Sequence, residues 1–151
     1  MGFFNFFKKP TVIQDDFFGR LLYMDFKDPS KGYFEGKGLF LPTNNETEYL
    51  IQADASGPTE GQREFYINLQ KGFVDYIEKI KPLIEDEFRN WKEDFSIREF
   101  TKEFQLVCLT IPRLNSTPLI WDMAFTTIHD KNHHITIDFS DYEPKGILID
   151  G

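Results

Sequence analysis

The stretch that decides the fold is TEGQREFYINLQKGFVDYIEKIKPLIEDEFRNW, residues 59–91. Its apolar side chains recur every three or four residues, which is the period of one face of an α-helix. These side chains are Phe65, Leu69, Phe73, Tyr76, Ile77, Ile80, Ile84, Phe88 and Trp91. Thr59 and Gln62 have the spacing of a capping box, in which each side chain satisfies a backbone amide of the first turn. The pattern predicts one long helix with its stripe facing a core.

Pro82 interrupts this helical pattern. Its ring nitrogen has no hydrogen to donate to the carbonyl of Glu78, four residues earlier. We therefore expect a kink at Pro82, or a break there into two helices that keep the same inward face.

Short runs of aromatic and aliphatic residues flank the helix and predict β-strands. Turn-forming Pro, Gly, Asn and Asp separate them. Three runs precede the helix (17–26, 33–42 and 47–55), and four follow it (104–112, 119–129, 134–139 and 147–150). We predict an α+β fold of order β-β-β-α-β-β-β-β, in which a mainly antiparallel, curved sheet of six to seven strands packs on one long kinked helix.

The composition is that of a folded chain with one core. The sequence has 151 residues, of which 40% are hydrophobic and 17 are Phe. We interpret residues 1–151 as a single domain, with residues 1–12 as an N-terminal strap. The lone Cys108 lies in an apolar run, where it cannot form an internal disulfide. This use of cysteine fits a reducing compartment and a cytoplasmic location.

The charge and hydropathy of the chain disfavour several classes of function. No stretch approaches the ~20 consecutive apolar residues that span a bilayer. The net charge is −8, so a basic footprint for nucleic acid is missing and nucleic-acid binding is disfavoured. An acidic surface favours solubility, and it also favours fast encounter with a basic protein partner.

The three histidines, His129, His133 and His134, lie within six residues of one another. A two-residue turn at 131–132 would place His129 opposite His134 across a β-hairpin. Two imidazoles could contribute to a metal site, but a catalytic zinc takes three protein ligands and a structural zinc takes four. We interpret the cluster as a solvated hairpin tip and expect no cofactor. The alternative is a small metal-dependent hydrolase that uses His129, His134 and nearby Asp residues.

Other catalytic patterns are weaker. The same hairpin register places Asp122 opposite Asp141, and paired carboxylates can divide acid and base roles. We expect these two to lie instead at a solvated hairpin end. Ser56 precedes the helix but lacks the Gly-x-Ser-x-Gly elbow of a nucleophile. Cys108 is expected to be buried and unreactive.

The acidic run IEDEFRNWKEDF, residues 84–95, is the strongest candidate for a binding surface. One interpretation is a solvated helix face. The other is a surface that offers carboxylates to Lys and Arg of a partner, with an aromatic anchor at its centre. The candidate partner-binding residues are Glu85, Asp86, Glu87, Trp91, Glu93 and Asp94.

Several segments carry a resemblance that spans most of the chain. They are FFGRLLY, YFEGKG, GPTEGQREFYINL, IWDMAF and DFSDYEPKGILIDG. With the order of predicted elements, they resemble small bacterial proteins of unknown function that are grouped with immunity proteins of polymorphic-toxin systems. The resemblance implies a cytoplasmic protein without enzymatic activity that neutralises a toxin by binding it. It carries over no functional residue.

These observations favour a non-enzymatic, cytoplasmic protein-binding module. Its expected partner is a protein with a basic surface, such as a toxin domain. The metal-dependent hydrolase remains the alternative from another class, and a self-associating scaffold is a third.

Overall fold

The computed structural model describes residues 11–150, and these residues form an eight-stranded sheet, three α-helices and a short 3-10 helix at Pro29–Lys31. The predicted α+β class is therefore confirmed. The strands are β1 (Thr11–Asp15), β2 (Gly19–Met24), β3 (Tyr33–Phe40), β4 (Asn45–Gln52), β5 (Phe104–Ile111), β6 (Ile120–Thr127), β7 (Asp130–Ser140) and β8 (Glu143–Asp150). The helices are α1 (Glu60–Lys71), α2 (Phe73–Phe88) and the short α3 (Phe100–Glu103).

The strands lie in the sheet in the same order as in the chain. Each neighbouring pair is antiparallel except β4 and β5, which are parallel. Parallel neighbours need a long crossover connection, and the segment that carries α1, α2 and α3 provides it. The buried side chains of α1 and α2 join those of the sheet in one hydrophobic core. Among the described residues, no helix is long and apolar enough to cross a membrane.

The prediction of one long kinked helix is wrong, because the helical segment divides into α1 and α2 at Gly72. The Gly72 amide donates to the Asn68 carbonyl at 2.9 Å and closes α1. Glycine has the greatest backbone freedom and a low helix propensity, which makes it the weakest point of the pattern. Pro82, where we expected the kink or break, lies inside α2 without ending it.

Most of the predicted stripe is confirmed. Both hydrogen bonds of the Thr59–Gln62 capping box are present. Seven of the nine stripe residues are buried, namely Phe65, Leu69, Phe73, Ile77, Ile80, Ile84 and Phe88. Tyr76 is half-buried against the same core. Trp91 differs from them, because α2 ends at Phe88 and leaves Trp91 exposed beyond it.

The predicted count of six to seven strands is wrong, since the sheet contains eight. The missing strand is β1, which begins inside the segment that we interpreted as a strap, residues 1–12. Residues 1–10 of that strap lie outside the described residues. The Asp15 carboxylate accepts the amides of Phe17 at 2.9 Å and Phe18 at 2.8 Å. This local turn joins β1 to β2 and places both Phe residues before the strand.

The predicted register of the β6–β7 hairpin is also wrong. Trp121 pairs with Phe139 and Phe125 pairs with Ile135, and a bulge lies between Phe125 and Thr127. The turn therefore falls at 128–129 instead of 131–132. The predicted register would have turned Ala124 and Thr126 toward the core. The observed register buries Trp121, Met123 and Phe125 there instead, and burial of this larger apolar area is the more favourable.

The glycines of β3 lie in regular pairing with β4. They make room for an aromatic ring. A Cβ at Gly36 would lie 2.8 Å from Cε2 of Tyr49 and 2.5 Å from Cδ2 of Leu21. The Tyr49 hydroxyl passes over this strand and donates to the Phe18 carbonyl at 2.6 Å.

Gln62 joins the first turn of α1 to the sheet. Its buried Nε2 donates to the carbonyl of Gln52, the last residue of β4, at 2.7 Å and to that of Pro112, which follows β5, at 3.0 Å. Its Oε1 accepts the Thr59 amide at 3.0 Å. The capping residue therefore also fastens the first turn of α1 to the carboxyl ends of the parallel strands β4 and β5.

Candidate functional site

Glu85, the first acidic residue of the predicted binding surface, stabilises the fold, and its two neighbours Asp86 and Glu87 lie beside it on α2. Oε2 of Glu85 accepts the Ile97 amide at 2.8 Å and holds the loop that follows α2. Asp86 forms an ion pair with Arg89 at 3.3 Å, one helical turn later. Glu87 is half-buried on the same helix. These three carboxylates are therefore only partly available to a partner.

The remaining predicted residues form an exposed surface, which we call the α2 tip and define as Trp91, Glu93 and Asp94. The Trp91 side chain is 61% exposed, and its ring lies edge-on to Phe88 with centroids 5.3 Å apart. Phe88 is buried and stacks on Phe95 at 4.7 Å. Among residues 11–150, Glu93 and Asp94 form no ion pair. The tip thus presents an aromatic side chain on a buried base beside two exposed carboxylates.

The predicted pair of histidines is separated. His129 lies in the hairpin turn, where its Nε2 is 2.7 Å from Oε1 of Glu103 and its ring is 4.9 Å from that of Phe95. His134 instead pairs with Asp150 of β8. His133 lies 2.7 Å from the Asp130 carboxylate within the same turn region. Within the part of the chain that the structure describes, no group of three or more His, Cys, Asp or Glu side chains could hold a metal ion.

Glu103 explains the position of His129. Burial would raise the pKa of the Glu103 carboxyl, but the amides of Glu99 and Arg98 and the His129 ring outweigh it and lower that pKa. The Glu103 carbonyl also accepts the Thr127 hydroxyl at 2.8 Å. These contacts fasten the hairpin turn to the segment after α2, so this histidine has a structural role.

A second surface was not predicted from the sequence. Alternate side chains of each strand face away from the helices, and on β4–β8 we call this surface the open face. Its members include carboxylates and small or apolar side chains. They are Glu46, Glu48, Leu50, Cys108, Thr110, Asp122, Ala124, His134, Thr136, Asp138, Leu148 and Asp150. Many of them line one shallow depression that runs from β4 to β8.

Two carboxylates lie side by side on the open face. Asp122 of β6 pairs directly with Asp138 of β7. Desolvation raises the pKa of the Asp122 carboxyl, and the charge of Asp138 raises it further, while a 3.0 Å hydrogen bond from the Thr110 hydroxyl opposes the rise. Like charges directly opposite each other destabilise a sheet. The ionised form of Asp122 is therefore held at a cost to stability.

The carboxylates of the open face also affect the thiol of Cys108. Burial raises the pKa of its thiol to about 11, and the charges of Asp122, Glu48 and Glu35 add to the rise. The side chain is half-buried on the open face rather than fully buried as we expected. The raised pKa keeps this thiol protonated at neutral pH.

The other candidates from the sequence have structural positions. Asp141 lies in the turn after β7, where its carboxylate accepts the Leu119 amide at 3.0 Å and its carbonyl accepts the Trp121 indole at 2.6 Å. Ser56 is exposed in the loop before α1 and lines a small cavity with Arg113, whose guanidinium is bound to Asp54. Asp122 and Asp141 are therefore not the predicted pair.

Comparison of the chain with protein-family models, with curated proteins and with solved structures found no match. The fold itself defines the class of the protein, which is α+β with an open, mostly antiparallel sheet covered by helices on one face. The resemblance to immunity proteins is a proposal, which we take up below.

Proposed function

We propose that this protein is a non-enzymatic binding module that recognises a basic surface on a protein partner through the α2 tip. The observation that carries the proposal is the exposure of Trp91, which is held in place by the buried Phe88 ring. An exposed aromatic side chain that is already positioned loses little freedom on binding, so its burial contributes strongly to affinity.

The charge of the tip supports a basic partner. Glu93 and Asp94 follow Trp91 directly and are exposed, and the whole chain has a net charge of −8. Carboxylates around an aromatic anchor attract Lys and Arg over a distance and raise the rate of encounter. The partner that we propose is a basic toxin domain, and the protein would neutralise it in the cytoplasm by covering its surface.

The test begins with the affinity-tagged protein and a lysate of the native organism. Any captured protein is identified, purified and titrated with the wild-type chain at several salt concentrations. We expect a basic partner whose affinity falls as salt rises, since exposed charges are screened. For a toxin, co-expression of this chain should also restore growth of cells that carry the partner.

Two matched variants locate the contact. Trp91→Ala should weaken binding by about tenfold or more, the usual effect of truncating a central aromatic anchor. Val74→Ala removes another exposed apolar side chain, on the first turn of α2, and should leave affinity unchanged. Equal effects of the two variants, or affinity that is indifferent to salt, would contradict the proposed mechanism.

A further inference from the structure

The two halves of the exposed sheet surface differ in charge. On β1–β3, Arg20, Glu35 and Lys37 mix the two signs, and Lys37 lies 3.6 Å from Glu46 at the boundary with β4. An ordinary solvated surface mixes signs in this way. The open face of β4–β8 does not, so solubility alone does not account for its composition.

The open face carries four carboxylates that make no ion pair within residues 11–150. They are Glu48, Asp122, Asp138 and Asp150. Lys131 and Lys145 are the lysines of these strands. Lys131 lies beside the hairpin turn, on the helix side of the alternation, and Lys145 lies at a bulge of the outermost strand. Neither forms an ion pair with the four.

Apolar side chains lie among these carboxylates. Leu50 and Ala124 are half-buried, and Leu148 is 54% exposed. Glu48, Cys108, Ala124, Thr136 and Leu148 follow one another in register across the five strands. The row therefore runs from a carboxylate through three small side chains to an exposed leucine. No part of residues 11–150 covers this surface.

The face has the dimensions of a docking surface. Five strands spaced about 4.8 Å apart span roughly 19 Å, whereas an α-helix with its side chains is about 10–12 Å wide. The strands β4–β6 and β8 each have eight residues. A helix or a strand pair of another protein can therefore lie on this face as α1 and α2 lie on the opposite one.

We propose that the open face of β4–β8 is a second docking surface, and that its occupant is a protein element with apolar residues flanked by Lys and Arg. Charge complementarity selects this occupant, because the four unpaired carboxylates share the face with the apolar side chains Leu50, Ala124 and Leu148. The basic side chains would neutralise Asp122 and Asp138, whose close approach is unfavourable in the free protein. The inference shares the partner class of the proposed function but does not require the α2 tip.

The experiment uses two amphipathic helical peptides with the same apolar face, one with Lys and Arg and the other with Glu at its polar positions. Each is titrated into the isotopically labelled full chain while the backbone amide signals are followed. We expect the basic peptide to shift amides of β4–β8 and the acidic peptide to shift none. Binding of both peptides, of neither, or of the basic peptide only at α2 would overturn the proposal.

Charge-reversal variants provide the matched control. Glu48→Lys with Asp138→Lys changes exposed residues of the open face, and Glu64→Lys with Asp75→Lys changes exposed residues of α1 and α2 by the same net charge. The first double variant should weaken the basic peptide by about tenfold or more, since like charges then meet across the interface. The second should change affinity by less than about twofold, as expected for charges beyond a Debye length in salt. Equal losses would show that only net charge matters and would refute the site.

The two proposals fail independently. If the native partner binds through Trp91 but ignores Glu48→Lys with Asp138→Lys and the basic peptide does not bind β4–β8, the open-face inference is wrong and the proposed function stands. If the basic peptide binds β4–β8 while Trp91→Ala leaves the native partner unaffected, the α2 tip is wrong and the open face stands.

Discussion

Replacement of Gln62 tests the connection between the crossover and the sheet. The side chain is 1% exposed and makes three hydrogen bonds, two as a donor and one as an acceptor. Gln62→Ala removes all three and leaves the carbonyls of Gln52 and Pro112 without this donor. At about 1 kcal/mol for each net hydrogen bond, the free energy of unfolding should fall by ~3 kcal/mol.

Gln62→Glu is the sharper perturbation, because it retains the size of the side chain and the bond from Thr59. It replaces the amide donor with a carboxylate oxygen that faces two carbonyl oxygens. An uncompensated buried charge costs more than a lost hydrogen bond, so this variant should be less stable than Gln62→Ala at neutral pH. Protonation returns one donor, and the deficit should therefore shrink as the pH falls.

The assay is equilibrium unfolding in urea at several pH values, with thermal melts as a second measurement. A loss of ~3 kcal/mol corresponds to a fall of roughly 6–12 °C in Tm for a chain of this size. Asn68→Ala, which removes an exposed amide from the same helix, serves as the control and should change stability by less than about 0.5 kcal/mol. If Gln62→Glu is as stable as the wild type at neutral pH, the described role of Gln62 is wrong.

Three further predictions concern the sheet. Asp122→Asn should raise stability at neutral pH, because the raised pKa of Asp122 means that ionisation destabilises the folded state. The gain should disappear in acid, where the wild-type carboxyl is protonated. Urea midpoints measured at both pH values check this. Cys108, with its pKa raised to about 11, should react with iodoacetamide slowly at neutral pH and faster as the pH approaches that value. Asp122→Asn should shift this pH–rate profile to lower pH. A wild-type profile with the pKa of a free thiol would contradict the prediction. Gly36→Ala should lower the free energy of unfolding by about 1–3 kcal/mol, as overpacking against Tyr49 and Leu21 requires, whereas an unchanged urea midpoint would show that the ring moves aside.

Side-chain periodicity predicted the buried face of the helical segment well. It failed to predict where the segment divides, because that depends on a single backbone position. The stripe from Phe65 to Phe88 identified the buried face, since burial acts on every third or fourth residue together. The division at Gly72 depends on one residue, and Pro82 was the stronger local signal although α2 continues through it. The short strand β1 has five residues, none of them fully buried, so no pattern separated it from a strap.

The open face could not be predicted because it depends on register. One bulge between Phe125 and Thr127 shifts the pairing of β6 with β7, and a shift of one residue exchanges the two faces of a strand. Together with the turn at 128–129, it pairs Asp122 with Asp138 instead of the predicted Asp141. The alternation in NETEYLIQ of β4, in which exposed Glu46 and Glu48 alternate with buried Thr47 and Tyr49, was a usable signal for the acidic surface.

The division between the two faces of the sheet separates the residues that stabilise the fold from the proposed docking surface. The core, the crossover and the bonds of Gln62 all lie on the helix side, so substitutions at exposed positions of the open face should change stability little. Asp122 is the exception, because it is half-buried and its ionised form is destabilising. An Asp that lowers stability at a position where Asn would fit needs a reason outside the fold. The proposed docking of a basic element supplies that reason. Asp122→Asn should therefore stabilise the fold while it weakens the basic peptide, and a variant that improved both would remove this reason for assigning the open face a function.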